Sequence, residues 1–443
     1  MPTTSIIANE RQEREVSALI AQITHALSSE QVLKAIVEGL PTEVIDGVRQ
    51  SLTIERNELV DSLEAYQKAQ NGAPEQMKSR AGSDLGSLLI AARVARGWKQ
   101  KDLARRLFLP DQQIQRYEAE RYRNITLAGL IRVARALGVR LTADISRPLE
   151  EPWLPSSKMS QGELQRVLKH ARAHGWLENA GQSDESAISQ LRRTVADHVG
   201  EYGTPSLLRT GMNVTHDSEK DWLLLAWKAQ VTITAKKRLS QARTKYRPLN
   251  VSWLKKLVQL SVLEDGPLRA RDLLAEHGIT LIAEPQITGM KVDGAAFLLE
   301  DMPVIGMTLR QDYLDNFWFT LLHEVAHVIL HYRTGLASGF FDDIEHDDAD
   351  DAAVDEMEQQ ANQFASNLLI PDELWKRSPA RIAKTAEPIE RLAKQLGIAP
   401  AIIFGRVRME RKNYKLFSDK IGRGKVRKLL LPQLTEASYE PVA

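Results

Sequence analysis

The chain has 443 residues, 43% hydrophobic and 26% charged, with 59 Lys and Arg against 58 Asp and Glu for a net charge of +1. At roughly 100–200 residues per domain this is a multidomain chain of ordinary globular composition, which excludes collagen-like, low-complexity and wholly disordered proteins. Cysteine is absent, so disulfide scaffolds, thiol nucleophiles and all cysteine-ligated metal sites are excluded, and a reducing cytoplasm is the expected compartment.

In chain order, the N-terminus lacks the basic start and apolar stretch of a secretory signal, and no apolar run nears the roughly 20 residues of a membrane span. No membrane contact is expected. Residues 1–80 read as a polar helical segment. Val48, Leu52, Leu59, Leu63 and Tyr66 recur at helical spacing, which places them on one face. That face either packs against the next domain or serves a dimer or partner. NGAPEQ, residues 71–76, reads as a hinge.

Residues 84–147 read as a compact run of short helices. Leu88, Leu89 and Ala92, then Leu103, Ala104 and Leu107, then Ile114 and Tyr117, then Leu127, Leu130, Val133, Ala134 and Leu137 supply successive apolar faces. Pro110 suits the start of a helix, where its missing N–H would be unbonded in any case. Two helices joined by three residues, the second polar on its outer face, fit the geometry that fills a DNA major groove. Residues 85–147 hold 13 Lys and Arg against 5 Asp and Glu, a surplus suited to phosphates as well as to a solvated surface.

The stretch GWKQKDLARRLFLPDQQIQRYE resembles the Cro/repressor-type, or XRE-family, helix-turn-helix over about 60 residues. Phe108 stands where that family usually has a glycine in the turn. The resemblance implies a recognition helix from about Asp111 that presents Gln112, Gln113, Gln115 and Arg116 to a double-stranded operator. Gln pairs with adenine and Arg with guanine. Gln100, opening the preceding helix, is expected on a phosphate. Domains of this type usually act as dimers on two half-sites, so a homodimer is expected.

After a linker near Ser146–Pro152, residues 153–275 read as a mostly helical connecting region. From 278 the pattern changes: ITLIAEP (279–285) is strand-like, and AAFLLEDMPVIGMTL (295–309) reads as a hairpin turning at Glu300–Pro303. This hairpin is expected to offer an edge to an extended substrate.

WFTLLHEVAHVILH, residues 318–331, carries the strongest chemical signal. His323 and His327 are four apart and share a helical face. Neutral imidazoles so placed can share a zinc ion, and Glu324 between them can take a proton from bound water. The rest of the helix is apolar, so it should be buried, and burying these polar groups needs a compensating role such as metal binding. For a third ligand, His331 continues the same face, but the better option is Glu358 in EMEQQANQFASNLLIP, four residues before Asn362. This ExxxN is like the ExxxD of thermolysin-type enzymes. Two histidines and one glutamate leave a position open for water, Asn362 is suited to orient a ligand histidine, and His331 is expected to be packed or to support the ligands.

Together the two stretches resemble the ImmA/IrrE metallopeptidases, over residues 278–415. The resemblance implies an α+β zincin-like domain, with Zn2+ bound by His323, His327 and Glu358 and with Glu324 as general base. It also implies a regulatory role, with a repressor of stress, phage or mobile-element genes as substrate. Tyr313 and Tyr332 are oxyanion candidates by proximity in sequence alone.

Residues 342–358 hold 10 Asp and Glu and no Lys or Arg, and 406–428 hold 10 Lys and Arg against 2 acids. The first reads as a solvated loop or a lid. The second, running into a basic tail at 416–443, reads as a solvated helix, a second nucleic-acid contact or a partner for the acidic loop. The expected protein is an all-α helix-turn-helix domain followed by a zincin-like endopeptidase, acting as a DNA-binding regulator. The competing expectation is a non-proteolytic regulator or antitoxin, in which the zincin fold senses a signal or binds a toxin or other partner.

Overall fold

The computed structural model describes residues 7–71, 85–122, 125–141, 161–179, 181–201, 207–210, 218–239, 244–299, 302–332, 336 and 348–431. The hinge expected at 71–76 and the linker near 146–152 lie almost wholly outside these residues. The chain divides into two compact units, one formed by residues 3–33 and 52–150, the other mainly by 34–51 and 151–443.

Three helices open the chain: α1 (Glu10–Ser28), α2 (Glu30–Ile36) and α3 (Thr42–Asn71). The division between units falls within α3. Asn9 caps α1 by accepting the N–H of Gln12 at 3.0 Å, relieving one unpaired donor of the first turn. The expected apolar stripe of α3 is buried at Val48, Leu52, Leu59 and Tyr66. Leu63, Tyr66 and Ala69 join the core of the helices that follow, so this part of the stripe is a packing face.

Those helices are α4 (Leu85–Ala95), α5 (Gln100–Leu107), α6 (Asp111–Ala119) and α7 (Leu127–Ala136). Leu89, Ile90, Leu103, Ala104, Ile114, Val133 and Leu137 form much of the core that Tyr66 and Ala69 join. Burial of each large side chain contributes about 1.5–3 kcal/mol. Phe108 ends α5 with φ 54° and ψ 43°, the left-handed conformation a glycine adopts without strain, and its ring is 94% exposed. The turn therefore keeps its geometry without the glycine.

The second unit continues with α8 (Gln161–Ala173), α9 (Asp184–Glu201), β1 (Leu207–Thr210), α10 (Ser218–Leu239), α11 (Trp253–Gln259) and α12 (Gly266–Glu276). Then come β2 (Thr280–Ala283), β3 (Val292–Leu299) and β4 (Met302–Met307). The sheet order is β1-β3-β4-β2, with β2 parallel to β4 and the other pairs antiparallel. Leu223, Trp227, Val231 and Ala235, four residues apart on α10, share one core with Val167, Leu191, Val292, Phe297 and Val304. The helices read as a connecting region thus build one layer over the sheet. Gly306 makes room for this: a Cβ there would lie 2.7 Å from the Trp227 ring.

Two expectations need correction here. The hairpin β3–β4 offers no free edge, because β1 pairs with the outer side of β3 and β2 with that of β4. β1 comes from the stretch read as helical, and four residues are too few to show a strand periodicity.

The other face of the sheet receives α13 (Leu314–Leu330) and α14 (Asp348–Leu369), followed by α15 (Asp372–Arg377), α16 (Glu387–Leu396), α17 (Pro400–Glu410) and α18 (Arg427–Leu430). The second correction concerns the acidic stretch. Residues 348–358 are helical, forming the first turns of α14, where carboxylates favour the positive end of the helix dipole; residues 342–347 lie outside the described residues. Of the expected basic tail, residues up to 431 fold against the start of α13. Ile421 and Val426 are buried, and the Asp312 carboxylate accepts the N–H groups of Val426 and Arg427 at 2.9 and 3.1 Å. The overall architecture is multidomain, all-α in the helix-turn-helix region and α+β zincin-like in the second unit.

Candidate metal centre and helix-turn-helix

α13 is buried on nearly every side: Phe317, Trp318, Leu321, Leu322, Val325, Val328 and Ile329 face apolar neighbours. Within it His323, Glu324 and His327 are fully buried. The Nε2 atoms of the two histidines lie 3.0 Å apart, and Glu358, on α14, places its carboxylate oxygens 3.2 Å from His323 Nε2 and 3.3 Å from His327 Nε2. Among the described residues these three form the one group of His, Asp and Glu able to hold a metal.

The outer ring nitrogens settle which atoms are available. His323 Nδ1 is 3.1 Å from the Asn362 side-chain oxygen, an acceptor. His323 therefore donates through Nδ1 and leaves the Nε2 lone pair facing Glu358. His327 Nδ1 meets His331 Nδ1 at 3.0 Å, and His331 Nε2 meets the Gln360 oxygen at 2.9 Å. Gln360 in turn donates its amide to Glu356 at 3.1 Å. Read from Glu356 inward, each donor has one acceptor: Gln360 to Glu356, His331 Nε2–H to Gln360, His327 Nδ1–H to His331. This leaves His327 Nε2 as a lone pair as well. Two imidazole lone pairs and a carboxylate converge on one point, and donors around a small tetrahedral cation lie roughly 3.3 Å apart. The residues fit a divalent metal.

Charge states agree. Burial pushes the His327 imidazole down to about 4, and likewise His331, so both are neutral near pH 7. Burial alone would raise Glu358, but the His323 and His327 rings beside it bring it down to about 2, so it is a carboxylate. Glu324 is packed against β3 at Gly294, where an added Cβ would fall 2.7 Å from Glu324 Oε1 and 2.9 Å from Thr320 Cγ2.

His323, Glu324, His327, Glu358, Asn362 and His331 are thus brought together, with Gln360 and Glu356 as members the sequence reading did not assign. Their signal was the i, i+4 spacing of Glu356 and Gln360 beside that of Glu358 and Asn362. Tyr313 does not belong: it precedes α13, ten residues or roughly 15 Å from His323, and its hydroxyl accepts from Arg423 at 3.1 Å. Tyr332 is buried with its ring 5.1 Å from that of Tyr246.

In the other unit, α6 exposes Gln112, Gln115 and Arg116 on one side and buries Ile114 and Glu118 on the other. Gln113 is half-buried and donates to the Tyr117 hydroxyl at 2.6 Å. Glu118 receives a two-pronged contact from Arg93 at 2.6 and 2.7 Å, and Gln100 donates to it at 2.8 Å. Arg93 also donates to the carbonyls of Trp98 and Ala8, both at 2.6 Å. Gln100 therefore has a partner inside the domain, on the inner face of α6.

Residues 274–403 match the IrrE N-terminal-like domain family, and residues 89–143 match a helix-turn-helix family. No curated protein and no solved structure matches the chain. The two matches cover the two sites just described and no residue in common. The chain joins a helix-turn-helix domain of the XRE type to an IrrE N-terminal-like domain of the ImmA/IrrE metallopeptidase type.

Proposed function

We propose that this protein is a cytoplasmic, DNA-binding transcriptional regulator whose IrrE-like domain is a zinc-dependent endopeptidase acting on a repressor or other regulatory protein in a stress, phage or mobile-element response. The observation that carries the reading is the convergence of two buried imidazole lone pairs and the Glu358 carboxylate beside the buried Glu324. Zn2+ suits this donor set, His323, His327 and Glu358, and when bound would supply Lewis acidity to water and to a peptide carbonyl. Glu324 takes the proton of the attacking water and later delivers it to the leaving amine. Asn362 and the His331–Gln360–Glu356 chain hold the ligand rings in the required tautomer.

In the helix-turn-helix, Gln112, Gln115 and Arg116 read base edges, with Gln113 and Gln100 positioned beside them; a homodimer would place two such helices on an operator. One observation favours a second reading, a non-proteolytic regulator or antitoxin that binds a partner protein. The outer edge of β3, which carries Gly294 against Glu324, is already paired with β1. Purified zinc-loaded chain, incubated with regulators encoded beside its gene, tests the first reading: a discrete cut abolished by chelation supports it. Retained zinc with no cut in any such regulator supports the second.

A further inference from the structure

The basic run at 406–428 belongs to neither site so far described, and four of its five arginines gather in one place. Arg406, Arg408, Arg423 and Arg427 meet Arg310 around a cavity of about 1210 Å³. The cavity begins one helical turn from the metal centre. Phe319 lines it four residues before His323 on α13, Ser366 lines it four residues after Asn362 on α14, and Asp293 lines it next to Gly294 on β3.

Its charge is only partly cancelled: Arg406 pairs with Asp372 at 2.7 Å and Arg408 with Asp315 at 3.8 Å. Three carboxylates, those of Asp293, Asp312 and Asp315, face five guanidinium groups. Asp293 is taken up by Arg310 at 3.0 and 3.1 Å, and Asp312 by the backbone N–H groups of Val426 and Arg427. Burial pushes Asp315 up to about 6, so it remains mostly a carboxylate near neutrality. Arg408 is held by the Tyr414 carbonyl at 2.6 and 3.2 Å, and Arg427 by the carbonyls of Leu309 and Arg310 at 2.9 and 2.6 Å. Arg423 meets the Tyr313 hydroxyl and ring and, among the described residues, no carboxylate. A guanidinium has five N–H donors in a fork that matches a carboxylate, so Arg423 keeps donors in reserve.

We propose that this cavity receives acidic residues of the protein substrate, a few positions from the scissile bond, with Arg423 as the guanidinium that pairs them. The inference rests on the peptidase reading and names the substrate class of that site. Size argues for a peptide: the volume exceeds the roughly 300–1,000 Å³ of a small-ligand pocket. Position argues for the same, since a chain crossing the metal centre reaches the cavity within one helical turn. The three aspartates and the apolar walls at Leu369, Ile402 and Met409 suit a peptide better than a polyphosphate backbone.

The test uses zinc-loaded full-length chain carrying Glu324→Gln, which is designed not to cut. Two labelled peptides differing only by Glu or Gln at several positions are titrated by fluorescence anisotropy. The Glu peptide should bind ~10-fold more tightly, the equivalent of one well-formed charge pair. Adding Arg423→Gln should remove most of that preference, and Arg423→Lys should restore part of it. Equal affinity for both peptides, or a preference unchanged by Arg423→Gln, overturns the proposal. So does an oligothymidylate that displaces the Glu peptide with higher, Arg423-dependent affinity, because the cavity would then belong to nucleic acid. Binding is read without cleavage, so loss of the charge preference sinks this inference alone, whereas a wild-type chain that binds selectively and never cuts sinks the peptidase reading alone.

Discussion

At the scale of single residues, the proposed metal centre would depend on atoms that never touch the metal. Both ligand histidines are fixed by what their Nδ1 atoms meet, Asn362 for His323 and His331 for His327. Asn362→Ala should therefore weaken zinc binding by about 10–100-fold without removing a ligand, measurable by competition with a chelating dye. Gln360→Leu should do the same through His331, whose Nε2 would lose its acceptor; unchanged affinity in both variants would refute the tautomer argument. His323, Glu324 and His327 were legible because five residues of one helix contain them. Glu358 with Asn362 was legible because a second i, i+4 pair repeats the device. Gln360 and Glu356 share that spacing, but their roles follow from a contact between Gln360 and His331, 29 positions apart, in a packing that spacing alone does not specify.

At the scale of elements, the recognition helix is anchored from beneath. Glu118 on α6 is buried with Arg93 of α4, and both are almost fully shielded, at 1% and 3% side-chain exposure. Removing one partner leaves a buried charge uncompensated. Glu118→Ala should cost about 3–5 kcal/mol, a large share of the 5–15 kcal/mol typical of a domain. It should thus lower the helix-turn-helix thermal transition sharply and weaken DNA binding through the fold. Arg116→Ala, at an exposed position, should leave that transition in place and cost about 1–3 kcal/mol of operator affinity in a footprinting titration. The apolar faces of α4 to α7 and of α13, and the hairpin β3–β4, were readable because their periodicity is strong. β1 was hidden in a stretch read as helical, and 348–358 reads as a loop because like charges suggest repulsion, while the dipole of α14 and its apolar later turns favour helix.

At the scale of the molecule, net charge says little because opposite charges are segregated along the chain, and the basic run gained meaning only when folding drew four of its arginines around one cavity. Stability is also set by burial in the core shared by the sheet and α8–α10. Glu284, after β2, accepts from Trp176 Nε1 at 2.9 Å and is pushed by burial from its ordinary 4.5 up to about 7. Between those values the folded chain holds a proton that the unfolded chain has lost. This contribution is fully present below pH 4.5 and is lost as pH rises through 7. Glu284→Gln, which keeps an acceptor for Trp176, should stabilise this unit by about 2–3 kcal/mol at pH 8, and the gain should vanish below pH 4.5 in denaturant melts.

The most direct measurement pairs metal content with cleavage for the wild-type chain and Glu324→Gln. One zinc per chain is expected in both, because Glu324 is not a ligand, with cleavage of a bona fide substrate reduced by about 10²–10⁴-fold in the variant. Equal cleavage by the two, or cleavage by a chain from which zinc has been fully removed, would contradict the assignment of this site as a metallopeptidase centre.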